Sequence, residues 1–561
     1  MSSFAADPAS PQAHRVALTG SVDDLLLSLT IEEQVGQLLC VYHRDTDATT
    51  TLRPYEVLGL KPGAFLISGG SNRTRTTQTI KEFESWSRVR PLIAANLESG
   101  TNTFITDGVL FASPMQVAAT GNTAHAQRLG TFCATQARAM GINWAFAPVI
   151  DLALNHRNPI TNTRAFGSDP ELVAKMGAAY ITALQAGGVA AAAKHWPGDG
   201  VDDRDQHLLT SINSLGQDAW WSTFGRVYKA AIDAGVMTVM AAHIALPGYS
   251  SDRQDLRPAT LSRRLLVDLL RGELGFTGMV VSDNNLMAGF TRVMPRDQAV
   301  VEAINAGCDM LLGSDYVAED FEALLAATRS GALPADRLRE AVTRVLTTKA
   351  RLGLLQTPDA PTAELDRRQA PADVPHQWLE DVARQSITLV KDADHVLPVN
   401  AARYRKILVY VIGDSATFYQ PAAGLAHEFA RGLEQLGCEV QLRSIPGEGR
   451  TPRSERQIQG TADLVMYFAN MTFTSESNTS RVRWSYPQGP DAPRWPDVPS
   501  MLVSVADPYH LQDMPSIGTA VNGYSPSPHT VKAILDCIAG RAEFEGSSPV
   551  DPFAGCSEAR S

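Results

Sequence analysis

The run "GVAAAAKH", residues 188–195, is small and apolar until its last two positions, Lys194 and His195. A short stretch that is apolar at every position marks a strand buried on both faces, as in a parallel sheet covered by helices. The same form recurs on either side of it: "GAFLIS" (63–68), "PLIAAN" (91–96), "NWAFAPVID" (143–151), "VMTVMAAH" (236–243), "GMVVSD" (278–283) and "CDMLLGS" (308–314). Each run ends in polar or ionisable residues. Amphipathic stretches lie between them. In "DPELVAKMGAAYITALQAGG", Leu172, Val173, Met176, Tyr180 and Leu184 fall near helical spacing, and Gly187 or Gly188 suits the C-terminal cap. Upstream, "LTIEEQVGQLL" begins like a helix. Thr30 and Glu33 fit a capping box, and Val35, Leu38 and Leu39 share one face.

This alternation predicts an α/β fold, a TIM-type (β/α)8-like barrel, with a doubly wound sheet as the alternative. In such a barrel the chemistry sits at the C-terminal ends of the strands. Here those ends carry Asn96 and Glu98, Asp151, Lys194 and His195, His243, Asp283, and Ser314 with Asp315.

A chain of 561 residues is long enough for two or three domains. Residues 1–20 read as a loose tail and 21–355 as the barrel. The Pro-, Ala- and charge-rich stretch 356–383 reads as a linker, and 384–561 as a smaller α/β sandwich. Strand-like runs in this last part are "ITLVKD", "ILVYVIG", "CEVQLRSI", "DLVMYFAN" and "SMLVSVADPY".

The net charge of −11, with no Lys/Arg-rich block, argues against nucleic acid as the main partner. No apolar run approaches the ~20 residues of a membrane span. The N-terminus lacks the basic and apolar regions of a secretory signal, so a cytoplasmic location is expected, though a mature secreted form would look the same. The six cysteines are scattered without a CxxC pair and are expected as reduced, buried thiols.

The densest chemistry lies in "KHWPGDGVDDRDQH", residues 194–207. A metal site is disfavoured there, because no HxH, HxxxH or EF-hand spacing occurs. Asp205 and His207 lie one residue apart. On an extended loop they reach the same side, where the carboxylate can orient the imidazole as a proton shuttle. The alternative is a solvated acidic loop. Asp283 at its strand end fits a nucleophile or base equally well as a helix N-cap. Lys194 and His195, and Arg164 in "TNTRAFGSDP", can bind sugar hydroxyls or phosphate, or can form internal ion pairs.

Taken together, "KHWPGDG", "DQH" and "GFTGMVVSDNNLM" resemble glycoside hydrolase family 3, in particular its bacterial β-N-acetylglucosaminidase branch. "EEQVGQLL", "PLIAANLESG", "FAPVIDL", "RAFGSDP", "VMAAHIALP" and "SVADPYHLQDMPSIGTAVNGYSPSP" extend the resemblance over roughly residues 30–555. The resemblance implies a barrel followed by a sandwich domain. It implies Asp283 as nucleophile, His207 as a histidine acid/base and Asp205 as its partner. Lys194, His195 and Arg164 match sugar-binding positions, and Asn96, Glu98 and His243 are further candidates. The implied activity is a retaining exo-β-N-acetylhexosaminidase. A phosphorylase and a β-glucosidase-type enzyme are the alternatives on the same scaffold, and a sugar-binding protein with an inactive barrel is the non-enzymatic one. The implied partner is a carbohydrate, with no metal or organic cofactor.

Two positions depart from the branch. Asp199 stands where a second His is usual, and Asn96 where a sugar-binding Asp is common, with Glu98 close enough to compensate. These departures bear on the choice of sugar more than on the reaction type. The D-x-H loop would also relieve the second domain of supplying an acid/base.

Overall fold

The computed structural model describes residues 19–44, 48–250, 256–313, 315–355, 375–414, 424–445, 462–471, 482, 498–555 and 560. Ser314, Cys556, residues 1–18 and residues 356–374 of the expected linker lie outside these.

Eight parallel strands close the barrel: β1 (Leu39–Arg44), β2 (Ala64–Ser68), β3 (Leu92–Ala95), β4 (Trp144–Ala145), β5 (Ala190–Trp196), β7 (Thr238–Ala241), β9 (Met279–Asn284) and β10 (Met310–Leu312). β6 (Ser211–Ile212) and β8 (Ile244–Ala245) form a short parallel ribbon beside the barrel mouth. The strands are mostly apolar up to their C-terminal ends because each serves two cores. Ala64, Leu66, Leu92, Ala94, Trp144, Ala190, Ala192, Met279 and Val281 fill the barrel interior. The alternate positions Phe65, Ile93, Ala145, Ala191, Ala193 and Val280 pack beneath the surrounding helices. This is the period-2 split of a pleated strand, with both faces dry. The alanines of β5 leave room inside for Trp144, which meets Phe146 edge-to-face at 4.7 Å and donates from its indole N–H to Thr238 Oγ1 at 2.9 Å.

The helix expected after Thr30 forms with both arms of its capping box, but it spans only Ile31–Gln37. Leu39 belongs to β1 and not to the helical face. β1, with sequence "LCVYHR", escapes sequence reading because its first residue continues the helical pattern. Helix Pro170–Ala186 is capped by Asp169 at its start and by Gly187 at its end.

The second domain is a six-stranded sheet in the order β11 (Thr388–Asp392), β16 (Thr519–Asn522), β15 (Ser500–Ser504), β14 (Leu464–Asn470), β12 (Lys406–Gly413), β13 (Glu439–Ile445). Only β11 runs antiparallel to its neighbour. β16, "TAVN", is the strand not foreseen. Residues 376–386, whose first part was expected as linker, form a helix. Its Val382 packs into the barrel's outer core and its Ala383 into the core of the second domain.

The two domains meet beside the barrel mouth. Ser113 Oγ donates to the Tyr524 carbonyl at 2.7 Å, and Gln116 Nε2 to Gly523 O and Thr530 Oγ1, both at 2.9 Å. The five described cysteines are all free and buried. No described helix is long and apolar enough to cross a membrane.

Candidate active site

β9 delivers Asp283. Among the described residues only the backbone N–H of Asn284, at 2.7 Å, donates to this carboxylate. The N-cap reading fails, because the next helix starts at Ala288 behind Met287 and takes no side-chain cap. Burial alone would raise the pKa of Asp283. The charges of His195, His243 and His207, with the Asn284 N–H, overcome that and hold it below the usual aspartate value. Asp283 is therefore an anion with little hydrogen bonding, the condition of a nucleophile.

The loop after β5 delivers the histidine. Asp205 and His207 meet through a turn and not through an extended strand. Asp205 Oδ1 accepts from the backbone N–H of His207 at 2.8 Å and pairs with the ring Nδ1 of the same residue at 2.6 Å. This is an Asx-type turn that also fixes the imidazole tautomer. Nε2 is left as the nitrogen that exchanges protons. Burial works against a charge on His207. The hydrogen bond and charge of Asp205, aided by Asp283, outweigh it and raise its pKa.

His207 is docked against the segment that follows Asp283. Ala288 N–H donates to the His207 carbonyl at 2.9 Å, and Thr210 Oγ1 to Gly289 O at 3.1 Å. Gly289 is required there, since a Cβ would lie 2.7 Å from His243 Cβ and 2.9 Å from Gln206 O. The loop is thus seated on the strand end that carries Asp283, and not left as the solvated loop its acidic composition allowed.

Lys194 and Arg164 converge on Glu98. Arg164 grips the carboxylate with Nε and Nη2, each at 2.8 Å, and Lys194 Nζ lies 2.7 Å from Oε1. Lys194 Nζ also donates to Asn96 Oδ1 at 3.3 Å. Glu98 is buried, and the two cations hold it far below the usual carboxylate range. Glu98 thus takes up the charge that Asn96 lacks. Burial lowers the pKa of Lys194, and Glu98 opposes that shift.

His195 pairs with Asp151, a buried residue at the end of the β4 segment. Asp151 Oδ2 meets His195 Nδ1 at 2.6 Å, while Oδ1 accepts from the backbone N–H groups of His195 and Asp199 at 3.0 and 2.8 Å. Asp199 lies below the histidine loop. It accepts from Asn158 Nδ2 at 2.7 Å and from Gln206 Nε2 at 3.2 Å. Burial and the neighbouring charge of Asp151 push its pKa up to about 7. His243 sits deeper than the other candidates. Its Nδ1 meets Thr260 Oγ1 and its Nε2 the Asn284 carbonyl, both at 3.0 Å, so it braces the residue next to Asp283.

The structure therefore gathers Asp283, His207, Asp205, Lys194, His195, Arg164, Asn96, Glu98 and His243 at one end of the barrel. Sequence reading noted Asp151 as a strand end without giving it a role. It passed over Asn158 and Gln206, which carry no signal beyond being polar residues near the motif.

The family model described as the glycosyl hydrolase family 3 N terminal domain matches residues 30–348. A beta-N-acetylglucosaminidase/beta-glucosidase of Cellulomonas fimi is 43% identical over 546 residues, covering 93% of this chain and 94% of that protein. Among solved structures, the beta-glucoside phosphorylase BglX superposes with a TM-score of 0.88 at 35% identity, covering 96% of each chain. A family 3 beta-N-acetylglucosaminidase from Paenibacillus sp. str. FPU-7, at 24% identity and a TM-score of 0.78 over 94% of this chain and 99% of that one, shares the fold. On a family match spanning the whole barrel and a relative matched nearly end to end, the chain belongs to glycosyl hydrolase family 3 and is a glycoside hydrolase.

Proposed function

We propose that the chain is a retaining exo-β-N-acetylglucosaminidase that works through a covalent glycosyl-Asp283 intermediate. The observation that carries this reading is the pairing of Asp283, an anion with a single hydrogen bond among the described residues, with an imidazole that Asp205 orients and whose pKa it raises. Asp283 attacks the anomeric carbon. As the glycosidic bond breaks, His207 gives its proton to the leaving oxygen. Water then enters, His207 takes a proton from it, and the sugar leaves Asp283 with its configuration retained.

The electrostatics let one imidazole play both parts. The negative charge of Asp283 is one reason the His207 pKa is raised. Once Asp283 becomes an ester, that charge is gone. His207 then holds its proton less tightly and is more readily in the neutral form that can act as base when deglycosylation needs one. Lys194, His195 and Arg164 hold the sugar at the barrel mouth. The similarity over nearly the whole chain to a β-N-acetylglucosaminidase/β-glucosidase supports this glycone, and admits a glucoside as well. Fragments of cell wall or chitin are the natural substrate class.

A second reading is phosphorolysis, or cleavage of β-glucosides on the same scaffold. The likeness to a β-glucoside phosphorylase at 35% identity over 96% of each chain favours it. A neutral imidazole, unlike a carboxylate, does not repel an approaching phosphate. The deciding experiment presents aryl β-N-acetylglucosaminide, β-glucoside and β-xyloside in water and in phosphate. The first reading expects free N-acetylglucosamine as the main product in both media. Sugar 1-phosphate as the dominant product would replace hydrolysis with phosphorolysis. No cleavage of any substrate would favour an inactive sugar-binding barrel.

A further inference from the structure

We infer that the second domain takes part in sugar binding at a distance, with Asp507 as a positioning residue for Arg164. This rests on the reading of Arg164 as part of the sugar-binding network.

The segment carrying Arg164 is held by the second domain on both sides. Before it, Asn162 Nδ2 donates to Asp507 Oδ2 at 3.1 Å. After it, the backbone N–H of Ser168 donates to the Pro549 carbonyl at 3.0 Å. Gly167 makes that second approach possible. Its φ is +141°, and a Cβ there would lie 2.5 Å from Pro549 O.

Asn162 is itself in a conformation that needs support. Its φ is +34°, in the left-handed region that non-glycine residues rarely occupy. Its side chain closes on the backbone N–H of Thr163 at 2.8 Å, and the turn Asn162–Arg164 follows directly. The Arg164 guanidinium then reaches back to the Ile160 carbonyl at 3.1 Å and out to Glu98. The direction of that guanidinium is thus set by a turn whose first residue Asp507 holds.

Asp507 is built to hold. Both Asp507 and Asn162 are buried. Asp507 Oδ1 accepts from the Tyr509 N–H at 2.7 Å, which leaves Oδ2 for Asn162. Its own carbonyl accepts from His510 Nδ1 at 2.9 Å. A buried carboxylate with both oxygens committed, on a backbone that is itself pinned, fixes the partner's position and not merely the contact.

The same turn reaches the acid/base loop. Asn158 Oδ1 accepts from the N–H groups of Ile160 and Thr161 at 3.0 and 2.9 Å. Its Nδ2 donates to Asp199 Oδ1 and to the Asp202 carbonyl, both at 2.7 Å. Asp507 therefore steadies the sugar side directly and the histidine side only through Asn158.

The test is a pair swap in the full-length protein. Asn162→Asp sets two carboxylates against each other. Asp507→Asn leaves either Asn162 or Tyr509 N–H facing another donor. The double change Asn162→Asp/Asp507→Asn restores every hydrogen bond with one donor direction reversed, and Asp tolerates the left-handed backbone as Asn does. Steady-state kinetics and inhibition by free N-acetylglucosamine are measured with thermal melting of each variant. Because the sugar contacts serve ground state and transition state alike, KM and the inhibition constant should rise about tenfold in Asn162→Asp with kcat nearly unchanged. The double variant should return to within about twofold of wild type.

Gln116→Leu is the control, since it cuts the domain hydrogen bonds to Gly523 and Thr530, neither of which involves the Arg164 turn. An equal rise in KM there would overturn the proposal in favour of general loosening between domains. A double variant that fails to recover would overturn it too. Arg164→Lys separates the two claims. If it raises KM while the Asp507 variants do not, only the positioning role falls. If the Asp507 variants raise KM and Arg164→Lys does not, Asp507 acts by a route other than Arg164 and the proposal falls.

Discussion

Two aspartates at opposite ends of the barrel, Asp309 buried and Asp283 half-buried, make opposite uses of their acceptor sites. Asp309, just before β10 at the closed end, is saturated. Arg271, Arg337 and Arg344 reach its two oxygens at 2.7, 2.8 and 3.1 Å, and the Val280 N–H adds a fourth bond at 2.9 Å. Asp283, at the open end, has the Asn284 N–H and a set of histidine charges but no ion pair in contact among the described residues. Saturation makes Asp309 a rivet that ties helix Ala335–Arg351 and the 264–273 segment to the sheet. The absence of saturation leaves Asp283 with a lone pair to give. The same side chain becomes structural or reactive according to how many of its acceptor sites the protein fills.

The comparison breaks most cleanly by exchanging the damage. Asp283→Asn should lower turnover by at least about a thousandfold while the melting temperature barely moves. Asp309→Ala should do the reverse, costing about 3–5 kcal/mol by leaving arginines buried and unpaired, with near-normal turnover per folded molecule. Chemical denaturation alongside active-site titration measures both. A large stability loss in Asp283→Asn would erase the distinction.

His207→Ala sharpens the reactive end. It should slow substrates with poor leaving groups by about a hundredfold or more, and activated aryl glycosides far less. Equal losses on both substrate types would remove His207 from the acid/base role.

Lys349 sharpens the structural end. It is fully buried at the closed end, bonded to Gln37 Oε1 at 2.6 Å, and burial brings its pKa down to about 7. Unfolded, the same lysine titrates near its ordinary value, so between those two values the unfolded chain binds more protons. Stability should therefore climb as pH rises from about 7 toward about 10 and be flat with respect to this group below that window. Lys349→Met should abolish the slope and add about 1–3 kcal/mol at neutral pH. Urea unfolding across that range reads both effects, and an unchanged slope would contradict the assignment.

Asp199 gives the smallest effect. Its folded pKa of about 7 lies above the unfolded value, so the folded chain holds the proton more tightly. Stability is fully present below the unfolded value and is lost as pH rises through the folded one. Asp199→Asn should gain at least about 1 kcal/mol relative to wild type between about pH 4 and about pH 7. A constant difference across that interval would show that no proton is held there.

The barrel was legible because both faces of each strand are dry, which turns strands such as "GVAAAA" and "GMVV" into plain apolar runs. β1 and β16 were not, one hidden behind a helix and the other only four residues long. The candidate reactive residues stood out through position, since strand ends in a barrel are few and Asp283 and His195 occupy them. What supports them did not stand out. Asn158 finds Asp199 41 residues away, and Asn162 finds Asp507 345 residues away. Nothing local distinguishes such residues from any polar loop. The Asx-type turn at Asp205 was half legible, in that the spacing revealed the pair while its geometry required the fold.

The claim that Asp283 is the nucleophile at the open end is tested most directly by catching the intermediate. His207→Ala enzyme is mixed with an activated aryl β-N-acetylglucosaminide, quenched in acid, digested and read by mass spectrometry. The account predicts that the peptide containing Asp283 gains the mass of one N-acetylglucosaminyl group, with every other peptide unchanged. A label on a different carboxylate, or full turnover with inverted product and no labelled peptide, would contradict it.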